Sequence, residues 1–309
     1  VSNITLNNHG AITQIGGSSI KFESNNVNSP FQSILNNAAD GTYELTGDGS
    51  FAAGDFYNGY SYTTTPGAGV GTINNAGTFR KSGGTGTSTV ASTIAFNNSG
   101  TVEVDSGTVN FQGSYTQSNG KLVLKNGGAV TGTLNIQGGA LEGTGTVNGS
   151  VTLAGTLSPG FSPGSMVING NLNLQPSAIT LLEIAGTLNQ GVDYNYVCVN
   201  GSILASGLLQ LSLLSGHENF ITPSTVLTLV TANQITGNFF NIASGERLTT
   251  LDGWGSFQVD YTGGNLIVSN FIAIPEPSSL VLFVIAGWII VLLRWKGSSH
   301  IIKHSKLVR

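Results

Sequence analysis

A short unit recurs through the first third of the chain and limits what it can fold into. Its clear copies are Leu6-Asn7-Asn8-His9-Gly10-Ala11-Ile12, Ile73-Asn74-Asn75-Ala76-Gly77-Thr78-Phe79 and Phe96-Asn97-Asn98-Ser99-Gly100-Thr101-Val102, with a looser copy in Leu35-Asn36-Asn37 and Gly41-Thr42-Tyr43. The last two clear copies start 23 residues apart, the length of one turn of a β-solenoid, whose coils bury their apolar faces only against neighbouring coils. Asn and Gly tolerate positive φ at a corner, and the Thr and apolar residue that follow open the next strand. Stacked corners align the Asn side chains into ladders hydrogen-bonded along the axis. The wider spacing of 38 residues between Leu35 and Ile73 implies an insertion, placed at Ser50 to Gly71, whose Phe51, Phe56, Tyr57, Tyr60 and Tyr62 form an aromatic group.

From Gly107 the pattern tightens into short runs separated by glycine corners: Thr108–Phe111, Lys121–Leu124, Thr133–Ile136, Thr146–Val147 and Ser150–Leu153. Two Pro-Gly turns follow in Ser158-Pro159-Gly160-Phe161-Ser162-Pro163-Gly164, and no helical periodicity of comparable length occurs before residue 278. The expected fold is all-β: a right-handed parallel β-helix (solenoid) continuing into a β-rich end region, plus one C-terminal transmembrane helix. The expected divisions are 1–170 for the Gly/Asn-rich repeats, 171–271 for the β-rich end, 272–277 for a linker, 278–293 for the helix and 294–309 for a basic tail.

Composition narrows the function. Charged residues make up 8 % of the chain against a usual share of about 25 %, while glycine takes 44 positions. Residues 1–271 carry 6 Lys/Arg and 14 Asp/Glu, whereas residues 294–309 carry five Lys/Arg and no acid. An acidic, sparsely charged body lacks the clustered bases that neutralise phosphates, which excludes nucleic-acid binding. The single Cys198 forbids an intramolecular disulfide and is expected as a small buried side chain in a strand. The repeat is already under way at residue 3 and no leader is visible before it, so an upstream segment with an export signal is expected.

Residues 278–293 are sixteen consecutive uncharged, mostly apolar residues. At 1.5 Å per residue they span about 24 Å as a helix, and snorkelling by Arg294 and Lys296 with Trp295 at the interface extends this toward the roughly 30 Å hydrocarbon core. Basic residues stay on the cytoplasmic side, which places the tail inside and residues 1–271 across the membrane. Just before the helix stands Pro275-Glu276-Pro277, an extended approach with Pro277 suited to the first helical turn.

The order Pro-Glu-Pro, apolar helix, basic terminus resembles the PEP-CTERM sorting signal of Gram-negative bacteria over about the last 35 residues. The resemblance implies recognition of Pro275, Glu276 and Pro277 by exosortase, a transpeptidase-like membrane enzyme, with Arg294 and Lys296 as the basic stop and an association with exopolysaccharide. Residues 158–164, with Ile168–Leu172 and Tyr194–Gly201, resemble repeats of autotransporter-like passengers and of PEP-CTERM proteins, which again implies a β-helix. One terminal apolar helix in place of many alternating strands argues against a self-translocating autotransporter.

Catalysis has one local candidate pair, Glu103 and Asp105, on one strand face with Val102 and Val104 on the other; a solvated outer face explains them equally well. Lys121 and Lys125 share a face without an acid partner visible in sequence, and Asp40-Gly41, Asp48-Gly49 and Asp252-Gly253 read as turns. His300 and His304 belong to the tail. No cofactor or metal is expected. The resulting expectation is a non-enzymatic surface or extracellular-matrix protein. Its expected partners are an exosortase-type processing enzyme, the inner membrane through the helix, and exopolysaccharide or other surface proteins. The alternative is a β-helical polysaccharide lyase or hydrolase on the same anchor.

Overall fold

Runs such as Thr42–Leu45, Thr78–Lys81 and Thr101–Val104 alternate outward and inward residues, and a strand with one apolar face must bury that face on something. Here each run turns that face to the inside of a coil, where Tyr43 meets Phe51 and Phe79 meets Phe96, and pairs along its edges with the copies of the run one coil away. The computed structural model describes residues 4–25, 32–57, 64–65, 69–214, 216 and 220–274. Each coil supplies three strands in turn. Thr5–Asn8, Ala11–Gln14 and Ser19–Asn25 form the first coil, followed by Ser33–Asn37, Thr42–Leu45 and Ser50–Tyr57. Gly71–Asn75, Thr78–Lys81 and Thr87–Val90 form the third, and Ile94–Asn98, Thr101–Val104 and Thr108–Phe111 the fourth.

First strands pair with first strands, second with second and third with third, all parallel through these coils. The second strands of successive coils make a nine-stranded parallel sheet that ends at Leu208–Leu213. The chain is thus all-β with long parallel sheets in a β-helix-like repeat, and no α-helix occurs among the described residues. Parallel pairing continues beyond residue 171 through Leu172–Leu174, Ile179–Ile184 and Tyr196–Ala205. The architecture changes at Val226–Gly237, which pairs parallel with Tyr196–Ala205 on one side and antiparallel with Asn265–Ala273 on the other. Arg247–Thr249 and Gly255–Asp260 add an antiparallel pair.

The last strand of the nine-stranded sheet is blunted by side chains. Asn241 donates from Nδ2 to the Leu209 carbonyl at 2.8 Å and accepts from the Leu209 N–H at 3.0 Å, while Asp252 accepts from the Leu213 N–H at 2.7 Å. One amide and one carboxylate therefore occupy groups that a further strand would use, which protects the edge.

Two columns fill the interior. The early coils hold an aromatic one: Tyr43 stacks on Phe79 at 5.7 Å, Phe79 meets Phe96 edge-on at 5.1 Å, and Phe111 packs on Tyr115 at 4.7 Å. Later coils substitute aliphatic residues, among them Leu134, Leu141, Leu157 and Leu182, all buried. Each such side chain contributes roughly 1.5–3 kcal/mol by leaving water. Phe51 belongs to the aromatic column at 1 % exposure, and Ser50–Tyr57 is the third strand of the second coil. The extra length in that coil therefore lies after Tyr57, and Tyr60 and Tyr62 fall outside the described residues.

The second column is polar. Asn8, Asn37, Asn75, Asn98 and Gln117 point inward and are buried. Each Nδ2 donates to the next side-chain oxygen: Asn8 to Asn37 at 2.7 Å, Asn37 to Asn75 at 2.7 Å, Asn75 to Asn98 at 2.8 Å and Asn98 to Gln117 at 3.2 Å. The expected ladder is present. Each Asn also donates to a backbone carbonyl of the next coil, as Asn75 does to Thr101 at 2.9 Å. The longer Gln117 ends the series by donating to the Gly138 and Ala140 carbonyls, both at 3.1 Å. Beyond it the same position is Ile136 and then Leu153.

The expected positive φ is present at the corner glycines Gly120 and Gly139, at 67° and 72°, but the glycine of the Asn-Asn-x-Gly unit has a different cause. Gly77 and Gly100 are not among the residues with positive φ. A Cβ on Gly100 would stand 2.2 Å from the Gly77 oxygen, so glycine is required there by the close approach of one coil to the next.

Val1–Ile272 forms one compact unit and Ala273–Arg309 a second, of which only Ala273 and Ile274 are described. Among the described residues no helix is long and apolar enough to cross a membrane, and the expected helix 278–293 lies outside them.

Asn75→Ala deletes the amide that serves Asn37, Asn98 and Thr101 together. At roughly 1–3 kcal/mol per orphaned buried group, the expected loss is about 3 kcal/mol, against about 0.5 kcal/mol or less for the outward Asn74→Ala. Urea denaturation of the two variants measures the difference, and equal midpoints would show that the buried ladder does not hold the coils.

Candidate functional site

The charged side chains of the early coils concentrate on the outward face of the second strands. Strand pairing sets Glu44, Arg80, Glu103, Val123 and Glu142 in one row, one coil apart. Opposite charges alternate at its start, which favours cross-strand attraction. Arg80 Nε donates to Asp105 Oδ2 at 2.7 Å, and Nη2 contacts the same oxygen. Arg80 also faces Glu103 at 3.9 Å, and Lys125 pairs with Glu103 from the coil on the other side. Lys121 reaches Glu142 at 3.4 Å. The hydrogen bond to Asp105, with the charges of Asp105, Glu103 and Glu44, raises the Arg80 pKa despite partial desolvation.

Glu103 and Asp105 do point outward while Val102 and Val104 are buried, as the alternation requires. They are not a freely solvated pair, however. Their side chains are 15 % and 9 % exposed, enclosed by the arginine of the preceding coil and the lysine of the following one. Substitution at either position therefore breaks an ion pair, beyond exchanging an exposed side chain. The acid partners of Lys121 and Lys125 come from adjacent coils. Sequence inspection missed Arg80 and Glu142 as members of this row, although each stands three residues after a corner glycine, Gly77 and Gly139, as Glu103 does after Gly100.

One residue later in the same strand, Lys81 turns inward and is completely buried. Its Nζ donates to the Gly47 carbonyl at 2.8 Å, to Asp48 Oδ1 at 2.9 Å and to the Gly83 carbonyl at 3.0 Å. Asp48 also accepts from the Gly86 N–H at 3.0 Å. The Lys81 hydrogen bond holds the Asp48 carboxyl below its ordinary pKa, with a smaller opposing effect of desolvation. Asp48 is thus a corner residue tied to a buried ammonium. Asp40 pairs with His9 at 3.0 Å across two exposed corners, and Asp252 accepts from the Trp254 N–H at 3.0 Å within its turn.

The other candidates separate cleanly. Cys198 is half-buried, pointing outward between the buried Val197 and Val199, which corrects the expectation of a core thiol. Its Sγ lies 3.6 Å from Asn200 Oδ1. A small cavity of about 20 Å³ opens inside the late coils, bounded by apolar residues including Leu157, Leu174, Val197 and Phe239. Thr180 also lines it, and the buried Thr180 hydroxyl oxygen has no hydrogen-bond partner among the described residues. Among the described residues no three His, Cys, Asp or Glu side chains converge as a metal site. Pro275, Glu276, Pro277, Arg294 and Lys296 lie outside the described residues, as do His300 and His304.

Lys81→Met keeps the apolar stem and removes the ammonium. A depressed Asp48 pKa means that its interaction stabilises the fold above the ordinary carboxylate range and is lost as pH falls through the lowered value. The variant is expected to be less stable at neutral pH and to show a flatter acid limb. Urea midpoints across that pH range test this; parallel acid limbs in wild type and variant would refute the assignment.

No protein-family model matches the chain, and no curated protein matches it.

Proposed function

We propose that this chain is an exported bacterial cell-surface or extracellular-matrix protein whose body, a right-handed β-solenoid, is structural or adhesive. The hand follows the strong general preference of parallel β crossovers. The observation that supports a non-enzymatic role most directly is the engagement of the outward carboxylates. Glu103 is tied to Arg80 and Lys125, Asp105 to Arg80, and Glu142 to Lys121, so the charges that a hydrolase or lyase would direct at a substrate brace one coil against the next. A general acid or nucleophile needs a carboxyl free to meet substrate, and these are held along the axis.

In this reading the body reaches the surface through the terminal signal. Pro275, Glu276 and Pro277 are recognised by an exosortase-type enzyme, the segment 278–293 holds an inner-membrane intermediate, and Arg294 and Lys296 stop transfer. Exopolysaccharide and other surface proteins are the partners of the released body. What supports this part is the sequence order itself, an uncharged sixteen-residue span between a Pro-Glu-Pro tripeptide and a basic terminus.

The test is Pro275→Ala with Pro277→Ala, which leaves the apolar span and the basic stop intact. In a host with an exosortase, wild type is expected in the outer or released fraction without its tail, and the double variant uncleaved in the inner membrane. Identical fractionation with the tail retained in both would leave a plain single-pass anchor.

A further inference from the structure

Among the described residues the first strands of the coils are free of Asp, Glu, Lys and Arg in every coil. The second strands carry Glu44, Arg80, Lys81, Glu103, Lys121, Glu142 and Glu183, and the third strands carry Lys21, Glu23 and Asp55 in the first two coils and no charged residue from Thr87 onward. Along this face one outward position runs in unbroken register from Asn7 through Asn74, Asn97, Thr116 and Asn135 to Thr236. Its ten members are Asn or Thr apart from Leu204, which is 47 % exposed.

The amides at the start of the row are fixed by one another. Asn36 Nδ2 donates to Asn7 Oδ1 at 2.8 Å, Asn74 to Asn36 at 2.9 Å and Asn97 to Asn74 at 3.0 Å. An amide has two N–H donors and two carbonyl lone pairs. Each central amide spends one of each within the row and keeps one of each for a partner. Asn36 and Asn74 therefore each offer one donor and one acceptor, already oriented, which is complementary to a copy of the same row.

We propose that this face is a self-association surface on which two copies lie side by side, coils parallel, related by a two-fold axis along the stack. In that arrangement like meets like, Asn74 opposite Asn74, Thr116 opposite Thr116 and Leu204 opposite Leu204, as an isologous contact demands. Charge favours this face over the second-strand face along the stack, and over the third-strand face in the first two coils. The body is acidic, with 14 Asp/Glu against 6 Lys/Arg in residues 1–271, and the uncharged face is where two such bodies approach with least repulsion. Its size is adequate. Nine strand spacings of about 4.8 Å give a length of roughly 43 Å, and a contact roughly 15–20 Å wide covers roughly 650–850 Å² per copy, near the about 800 Å² of a standard interface.

The test uses the full chain in detergent micelles under mild oxidation. Thr116→Cys, Asn74→Cys and Thr152→Cys, each combined with Cys198→Ser, are expected to form disulfide-linked dimers. The native Cys198, outward on a third strand, is expected to remain monomeric and serves as the control for association through the terminal apolar segment. The double variant Thr116→Lys with Thr152→Lys is expected to weaken dimerisation at least tenfold by equilibrium sedimentation, with an unchanged circular dichroism spectrum. No cross-linking on the first strands, cross-linking at Cys198 to the same extent, or sedimentation unaffected by the two lysines would each overturn the proposal. Cross-linking at Thr116 alone would overturn the parallel arrangement. None of these outcomes depends on where the chain is cleaved or delivered.

Discussion

In-register parallel pairing of each strand with the strand one coil away is the interaction on which everything else in this protein rests. Such pairing brings corners so close that a side chain has no room, as at Gly100 above Gly77. It also brings identical inward positions within hydrogen-bonding reach, so that Asn37, Asn75 and Asn98 satisfy one another in a core that would otherwise penalise each amide. A slip of one residue would turn these amides outward and Leu35, Ile73 and Phe96 with them, which fixes the register twice over. The ladder specifies alignment, and the aromatic column beside it supplies the burial.

The same stacking decides what charge does here. With so few charged residues, an isolated pair on a surface would contribute little. Stacked one coil apart, Arg80, Glu103, Asp105 and Lys125 form a short network in which the central carboxylate meets cations from both sides. Lys81 extends the principle inward, with its ammonium donating to three acceptors at a corner where backbone carbonyls of two coils converge. The charges thus hold the stack together, and the first-strand face is left to neutral amides and hydroxyls.

The stack ends in a change of pairing. Val226–Gly237 takes an antiparallel partner, and the Asn241 amide and Asp252 carboxylate occupy edge groups that could otherwise recruit another strand. A repeat that buries its apolar surface only against neighbours needs a cap of this kind at the end of the array.

Several features were legible in the sequence. The recurrence of Asn-Asn-x-Gly determined that the chain would stack, that its asparagines would form ladders and that short glycine-bounded runs such as Lys121–Leu124 would be strands, because these follow from local periodicity and from the geometry of one coil. The sequence also determined the uncharged stretch 278–293 and the Pro-Glu-Pro before it. Only the tertiary structure decided which residues of different coils meet. It paired Lys125 with Glu103 and Arg80 with Asp105, placed Phe51 in the core column, turned Cys198 outward, and showed that the corner glycines at Gly77 and Gly100 answer to the adjacent coil and not to their own φ. The physical reason is the unequal coil length. Partners along the stack are separated by 19, 23, 29 or 38 residues, so no fixed offset in sequence predicts a contact until hydrogen-bonded register has set it.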